Sequence, residues 1–135
     1  MRIVSLCPSN TETLGFMGLA DELVGVDDYS DWPPGIERLP RLGSDMAIDI
    51  EAVAALKPDL VLASLSVPGM EKNIAGLQAA QLPYLTLNAK SLAAIGDNLL
   101  EVGAAMDRNR EARAAHGRYM AVLEEYAAYA AGTRD

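Results

Sequence analysis

Basic residues, aromatic rings, cysteine and histidine are all scarce in this 135-residue chain. Eleven Lys and Arg stand against nineteen Asp and Glu, for a net charge of −8. That balance excludes the basic face a nucleic-acid partner needs. Aromatic residues make up 5% of the chain, so any site leans on few rings. Cys7 is the single cysteine, which rules out an internal disulfide, and with no signal-like stretch read before it, it is not expected to carry a lipid. His116 is the single histidine, and it falls in the middle of a helical pattern. Histidine metal ligation fails on that count, and Cys7 has no nearby base for nucleophilic catalysis. No apolar run approaches the ~18 residues of a membrane span. Glycine-rich phosphate loops of the Walker or dinucleotide kind are missing as well. Reading from Met1, no charged, apolar and small-residue export pattern precedes the first strand-like stretch. The expectation is a chain without an export signal, and a cytoplasmic location stays open.

What is present is half hydrophobic, enough to close the core of one domain. Short apolar runs alternate with helical patterns, the signature of a parallel α/β sheet. Strands are expected at Arg2–Leu6, Leu23–Val26, Asp59–Ala63 and Tyr84–Leu87. Ser9 and Glu12 form a Ser-x-x-Glu capping box, which predicts a helix from there to about Met17, ended by Gly18. The stretch Asp27–Asp45, with three prolines and two glycines, reads as one long ordered loop. Asp49 can cap a short helix to Leu56, stopped by Pro58. Pro68-Gly69 precedes a helix to about Ala80, with Ile74 and Leu77 inward. Ser91 caps another, on which Leu92, Ile95, Leu99, Val102 and Met106 step at helical spacing.

The last segment, about Asn109–Ala131, is rich in alanine and helix formers. Ala115, Tyr119, Val122, Tyr126 and Tyr129 make one apolar stripe on a helix of ~34 Å. It either covers the sheet or reaches as a strut to something else. The expected division is an α/β lobe at residues 1–107 and a long helix and tail at 108–135.

Ligands of open parallel sheets bind outside the carboxyl ends of the strands. Four loops are expected there: Cys7–Asn10, Asp27–Pro34, Ser64–Pro68 and Asn88–Lys90. They carry Ser9, Asn10, Tyr29, Trp32, Ser64, Ser66 and Asn88, and the first adds the free N–H groups of a helix N-terminus. Asp27, Asp28 and Asp31 lack the spacing and glycine of a calcium loop, and read as a solvated acidic turn. No base, nucleophile or metal set points to an enzyme.

Three motifs in order carry a resemblance. They are Arg2-Ile-Val-Ser-Leu-Cys-Pro-Ser-Asn-Thr-Glu12, Val24-Gly-Val-Asp-Asp-Tyr-Ser-Asp-Trp-Pro-Pro34 and Asp49-Ile-Glu-Ala-Val-Ala-Ala-Leu-Lys-Pro-Asp-Leu-Val-Leu-Ala63. With the two helices after Ser91, the chain resembles helix-linked substrate-binding proteins of ABC importers, which take cobalamin, iron siderophores or haem. The Tyr29–Pro34 form is most like the cobalamin branch. The resemblance implies two α/β lobes joined by one long helix, with the ligand between them. This chain is similar to the first lobe plus that helix. It further implies that Pro8, Ser9 and Asn10 form the first cleft loop and that the Tyr29 ring packs on the ligand. Trp32 is a second cleft candidate, with a loop anchor beside the prolines as its other reading. Asp45 and Ser64 stand where cobalamin binders often carry tryptophans, which leaves room for a more polar chelate. Glu51 matches the acid with which such a lobe docks onto arginines of the permease. An extracytoplasmic location follows from the family, and no cofactor is implied beyond the chelate carried as ligand. A lobe of this kind whose helix stripe is uncovered is also expected to pair with a second copy through that helix.

Overall fold

The computed structural model describes residues 1–88 and 91–132. Four parallel strands form one sheet: β1 (Ile3–Ser5), β2 (Leu23–Val26), β5 (Leu60–Ser64) and β6 (Tyr84–Leu87), in the order β2-β1-β5-β6. β1 and β5 are the central strands and are buried throughout, as parallel strands covered on both faces must be. Alternation along the strands divides their side chains between two cores. Ile3, Leu60 and Leu62 face one side, with Leu14, Leu99 and Val102 from the helices there. Val4, Val61 and Ala63 face the other, with Val53 and Leu77.

Helices α1 (Pro8–Phe16), α4 (Leu92–Met106) and α5 (Asn109–Gly132) pack on the first face, and α2 (Ile50–Ala55) and α3 (Glu71–Ala79) on the second. The expected α/β architecture, a small parallel four-stranded sheet flanked by helices and followed by a long C-terminal helix, is the one observed. Asp49 and Ser91 cap α2 and α4, each side chain accepting the backbone N–H three residues on.

Three local expectations need correction. Cys7, not Ser9, is the N-cap of α1, and no side chain caps that helix. Pro8 takes the first helical position, which suits its fixed φ and missing N–H, so the capping box never forms. The segment read as one loop holds a turn of 3-10 helix at Ile36–Arg38 and a hairpin of β3 (Gly43–Ser44) and β4 (Ala47–Ile48). Gly43, at φ +102, allows the tight path into that hairpin. Finally, the stripe on α5 is not one face of uniform burial. Ala112 and Ala115 are fully buried against α4 and the core, whereas Val122, Tyr126 and Tyr129 are 60–71% exposed. The helix is thus seated by its first half. The tail residues 133–135 lie outside the described residues.

Candidate ligand-binding site

The carboxyl ends of β1, β5 and β6 open into a concavity of about 540 Å³, closed laterally by α4 and α5. That volume is within the range of small-ligand sites. Its floor and walls are mainly apolar, from Phe16, Leu87, Ile95, Leu99, Tyr119 and Val122. Polar groups rim it: Ser9 and Asn10 from α1, Ser64 at the end of β5 and Ser66 after it, and Asn98 from α4. Glu12 is the one charged residue among the described residues that line it.

Each rim group is held by the local fold. The Asn10 amide Nδ2 donates to the Ala63 carbonyl at 3.0 Å, which ties the start of α1 to the end of β5. Ser64 Oγ accepts the Ser66 backbone N–H at 3.1 Å and lies 2.8 Å from the Ser66 hydroxyl. Ser9 is exposed, with its hydroxyl 3.3 Å from the buried Cys7 thiol, which burial pushes above its ordinary pKa. A buried, protonated thiol is a packing group rather than a nucleophile. On α5, the Tyr119 hydroxyl donates to the Leu92 carbonyl at 2.9 Å, and its ring meets Phe16 edge-on at 6.3 Å. These contacts set the wall that α5 contributes.

Of the expected site residues, Ser9, Asn10 and Ser64 come together at this concavity, and Ser66 joins them. Pro8, Tyr29, Trp32 and Asp45 are not in its lining. Pro8 opens α1 and is half-buried. Tyr29 is 62% exposed on the loop after β2. Trp32 leans across α1, so close that a Cβ on Gly15 would fall 2.5 Å from its ring; it anchors the loop as well as facing solvent. Asp45 tops the β3–β4 hairpin, its carbonyl accepting from Asn73 Nδ2 at 2.8 Å. Glu51 is exposed in the first turn of α2, on the opposite face of the sheet from α4 and α5. Ala89 and Lys90 of the fourth expected loop lie outside the described residues.

Sequence reasoning missed the apolar half of the concavity. Ile95 and Leu99 were legible as a helical stripe, but not as a wall, because periodicity gives a face and not what the face meets. It also misread Asp27. Asp28 and Asp31 are exposed, as a solvated turn requires, but Asp27 is fully buried. Its carboxylate accepts the Tyr29 backbone N–H at 3.0 Å and lies within hydrogen-bond distance of the Ser30 hydroxyl. Arg41 adds two bonds, from Nη1 to the carbonyls of Asp27 at 3.0 Å and Ser30 at 2.6 Å. Among the described residues, no three His, Cys, Asp or Glu side chains gather to hold a metal ion. The arrangement is suited to holding a partly apolar molecule through contact and hydrogen bonds.

Comparison with known proteins identifies the family. The family model described as periplasmic binding protein matches residues 3–128. The vitamin B12-binding protein of Vibrio cholerae is 37% identical over 98 residues, 73% of this chain and 35% of that protein. A crystal structure of a periplasmic vitamin B12 binding protein from the same species superposes with a TM-score of 0.81 at 31% identity, covering 92% of this chain and 48% of that one. A periplasmic heme binding protein from Pseudomonas aeruginosa gives 0.83 at 30%, covering 98% and 48%. The uncharacterized ABC transporter substrate-binding lipoprotein YvrC of Bacillus subtilis is 36% identical over 113 residues, 82% of this chain and 36% of that protein. The chain therefore spans about a third of the length of these curated relatives and about half of the solved chains. By the match over nearly its whole length, the chain belongs to the periplasmic binding protein family.

Proposed function

We propose that this chain is the first ligand-gripping lobe, with its linking helix, of an ABC importer's substrate-binding protein. Its ligand is cobalamin or a related metal chelate, held without chemistry. One observation carries the reading: the matched lobe presents Ser9, Asn10 and Ser64 around an apolar concavity at the carboxyl ends of its strands. Relatives named for vitamin B12 and for heme support the chelate class. Iron siderophores remain in that class, and the polar Asp45 and Ser64 favour a chelate with a hydrogen-bonding rim. In this reading Pro8, Tyr29 and Trp32 contact the ligand outside the concavity, on the side that faces the second lobe, and residues 108–135 are the linking helix and tail. Glu51, exposed and remote from the concavity, docks on arginines of the permease. The protein works outside the cytoplasmic membrane, where such capture precedes import.

Titration of the two-lobed form with cyanocobalamin, haem and a ferric siderophore tests this, read by quenching of Trp32, the only tryptophan of the described lobe. One of the three is expected to saturate the signal; silence from all three overturns the reading. Docking is tested apart from capture. Glu51→Arg is expected to leave the titration unchanged and to abolish transport with the cognate permease.

A second reading rests on the exposed half of α5. Val122, Tyr126 and Tyr129 together form an apolar strip of the kind that finds a partner. A second copy of the chain would cover it. Light scattering of this chain at high concentration is expected to give a dimer, and a strict monomer refutes the pairing.

A further inference from the structure

We propose that Asp27 is held protonated in the folded protein and donates at the head of a buried hydroxyl chain. That chain ties the Tyr29 loop to the opening of α1. Four oxygen–oxygen contacts run in series. Asp27 Oδ1 meets Ser30 Oγ at 2.5 Å, and Ser30 Oγ meets Thr11 Oγ1 at 2.7 Å. Thr11 Oγ1 meets Ser5 Oγ at 2.7 Å, and Ser5 Oγ meets the Cys7 carbonyl at 3.0 Å. All four side chains are buried, with exposures of 0–3%.

The proton count decides the direction. A hydroxyl brings one proton, so Ser5, Thr11 and Ser30 bring three. The carbonyl at the far end can only accept. Four contacts therefore need a fourth proton, and the carboxyl is the only group in the series able to supply it. The longer contact from Thr11 Oγ1 to the Cys7 carbonyl, at 3.3 Å, adds a demand and no donor. Protonation on Oδ1 leaves Oδ2 free to accept the Tyr29 N–H, as it does. Donation then runs one way: Asp27 to Ser30, Ser30 to Thr11, Thr11 to Ser5, Ser5 to the Cys7 carbonyl. When Asp27 loses its proton, three protons remain for four contacts, and one contact in the series is left without a hydrogen.

Burial pushes the Asp27 carboxyl upward, its contacts with Ser30 and the Tyr29 N–H oppose this, and the charge of Asp45 on the hairpin adds to the push. Asp28 is exposed and accepts the Gly43 N–H. The Cys7 thiol at the α1 cap is itself pushed up, and so is neutral. Arg41 brings a cation to this loop and spends Nη1 on its two carbonyls. Asp27 is thus a positioning residue for Tyr29. The bearing on ligand capture rests on the function proposed above; the proton itself does not.

The test needs no ligand. The ¹³C shift of the Asp27 carboxyl, followed by NMR in the wild-type protein, is expected to stay at its protonated value well above the ordinary carboxylate range. Asp27→Asn supplies an amide donor for Ser30 and an oxygen for Tyr29, so it should match wild type in thermal midpoint at about pH 8. Thr11→Val cuts the chain and is expected to speed amide exchange of residues 28–31 about five- to tenfold. An ionised shift at about pH 5 in wild type overturns the proposal. So does an Asp27→Asn variant that exchanges as fast as Thr11→Val.

Discussion

Asn10 and Gly15 sit on the same short helix and do opposite work at the residue scale. Asn10 is 3% exposed, and its amide is committed to the Ala63 carbonyl, so it sets the rim of the concavity by holding β5. Asn10→Ala removes one buried bond and should cost about 1 kcal/mol, seen as a lower urea midpoint with unchanged slope. Gly15 makes room for Trp32 and Pro33, whose ring carbon would lie 2.9 Å from an added Cβ. Gly15→Ala gains helix propensity but displaces the indole. The expected readout is a red-shifted Trp32 emission with little change in helix content; an unshifted spectrum would show that the loop has slack. That Ser9, Asn10 and Ser64 belong together was legible, since all three follow strands at their carboxyl ends. Asp27 was not. A buried and a solvated aspartate are written with the same letter, and only the packing of α1 over the loop tells them apart.

At the scale of elements, the α4–α5 pair is decided by one small residue. A Cβ on Gly103 would fall 2.1 Å from that of Ala112, so the two helices approach more closely than two side chains would allow. Between them Asp107 turns the chain at φ +58, and the Arg108 N–H closes on the Gly103 carbonyl at 2.7 Å. Gly103→Ala should destabilise by about 1–3 kcal/mol by thermal unfolding, despite alanine's better helix propensity. Full stability in that variant would mean that the pair can spread. Helix starts were readable where a side chain serves as the cap, as at Asp49 and Ser91. At α1 the proline fixed the start instead. The β3–β4 hairpin was invisible, because two-residue strands carry no period to read.

For the molecule as a whole, Glu22 links distant parts of the chain. It accepts from Arg108 Nη2, 86 residues on. Glu22→Gln keeps the shape but replaces a charge-assisted bond by a neutral one, and should lower the thermal midpoint at about pH 7. An unchanged midpoint would show that the pair adds nothing to the stability of the fold. By itself, the sequence determined the strands, most helices, the α/β class and the resemblance to a binding-protein lobe. These follow from local periodicity, caps and motif order. The tertiary structure alone decided the strand order, the concavity between α1, α4 and α5, the burial of Asp27 and the division of α5 into a seated and a bare half. Each of those depends on which surfaces meet across the chain, and contact between distant segments leaves no local period to read.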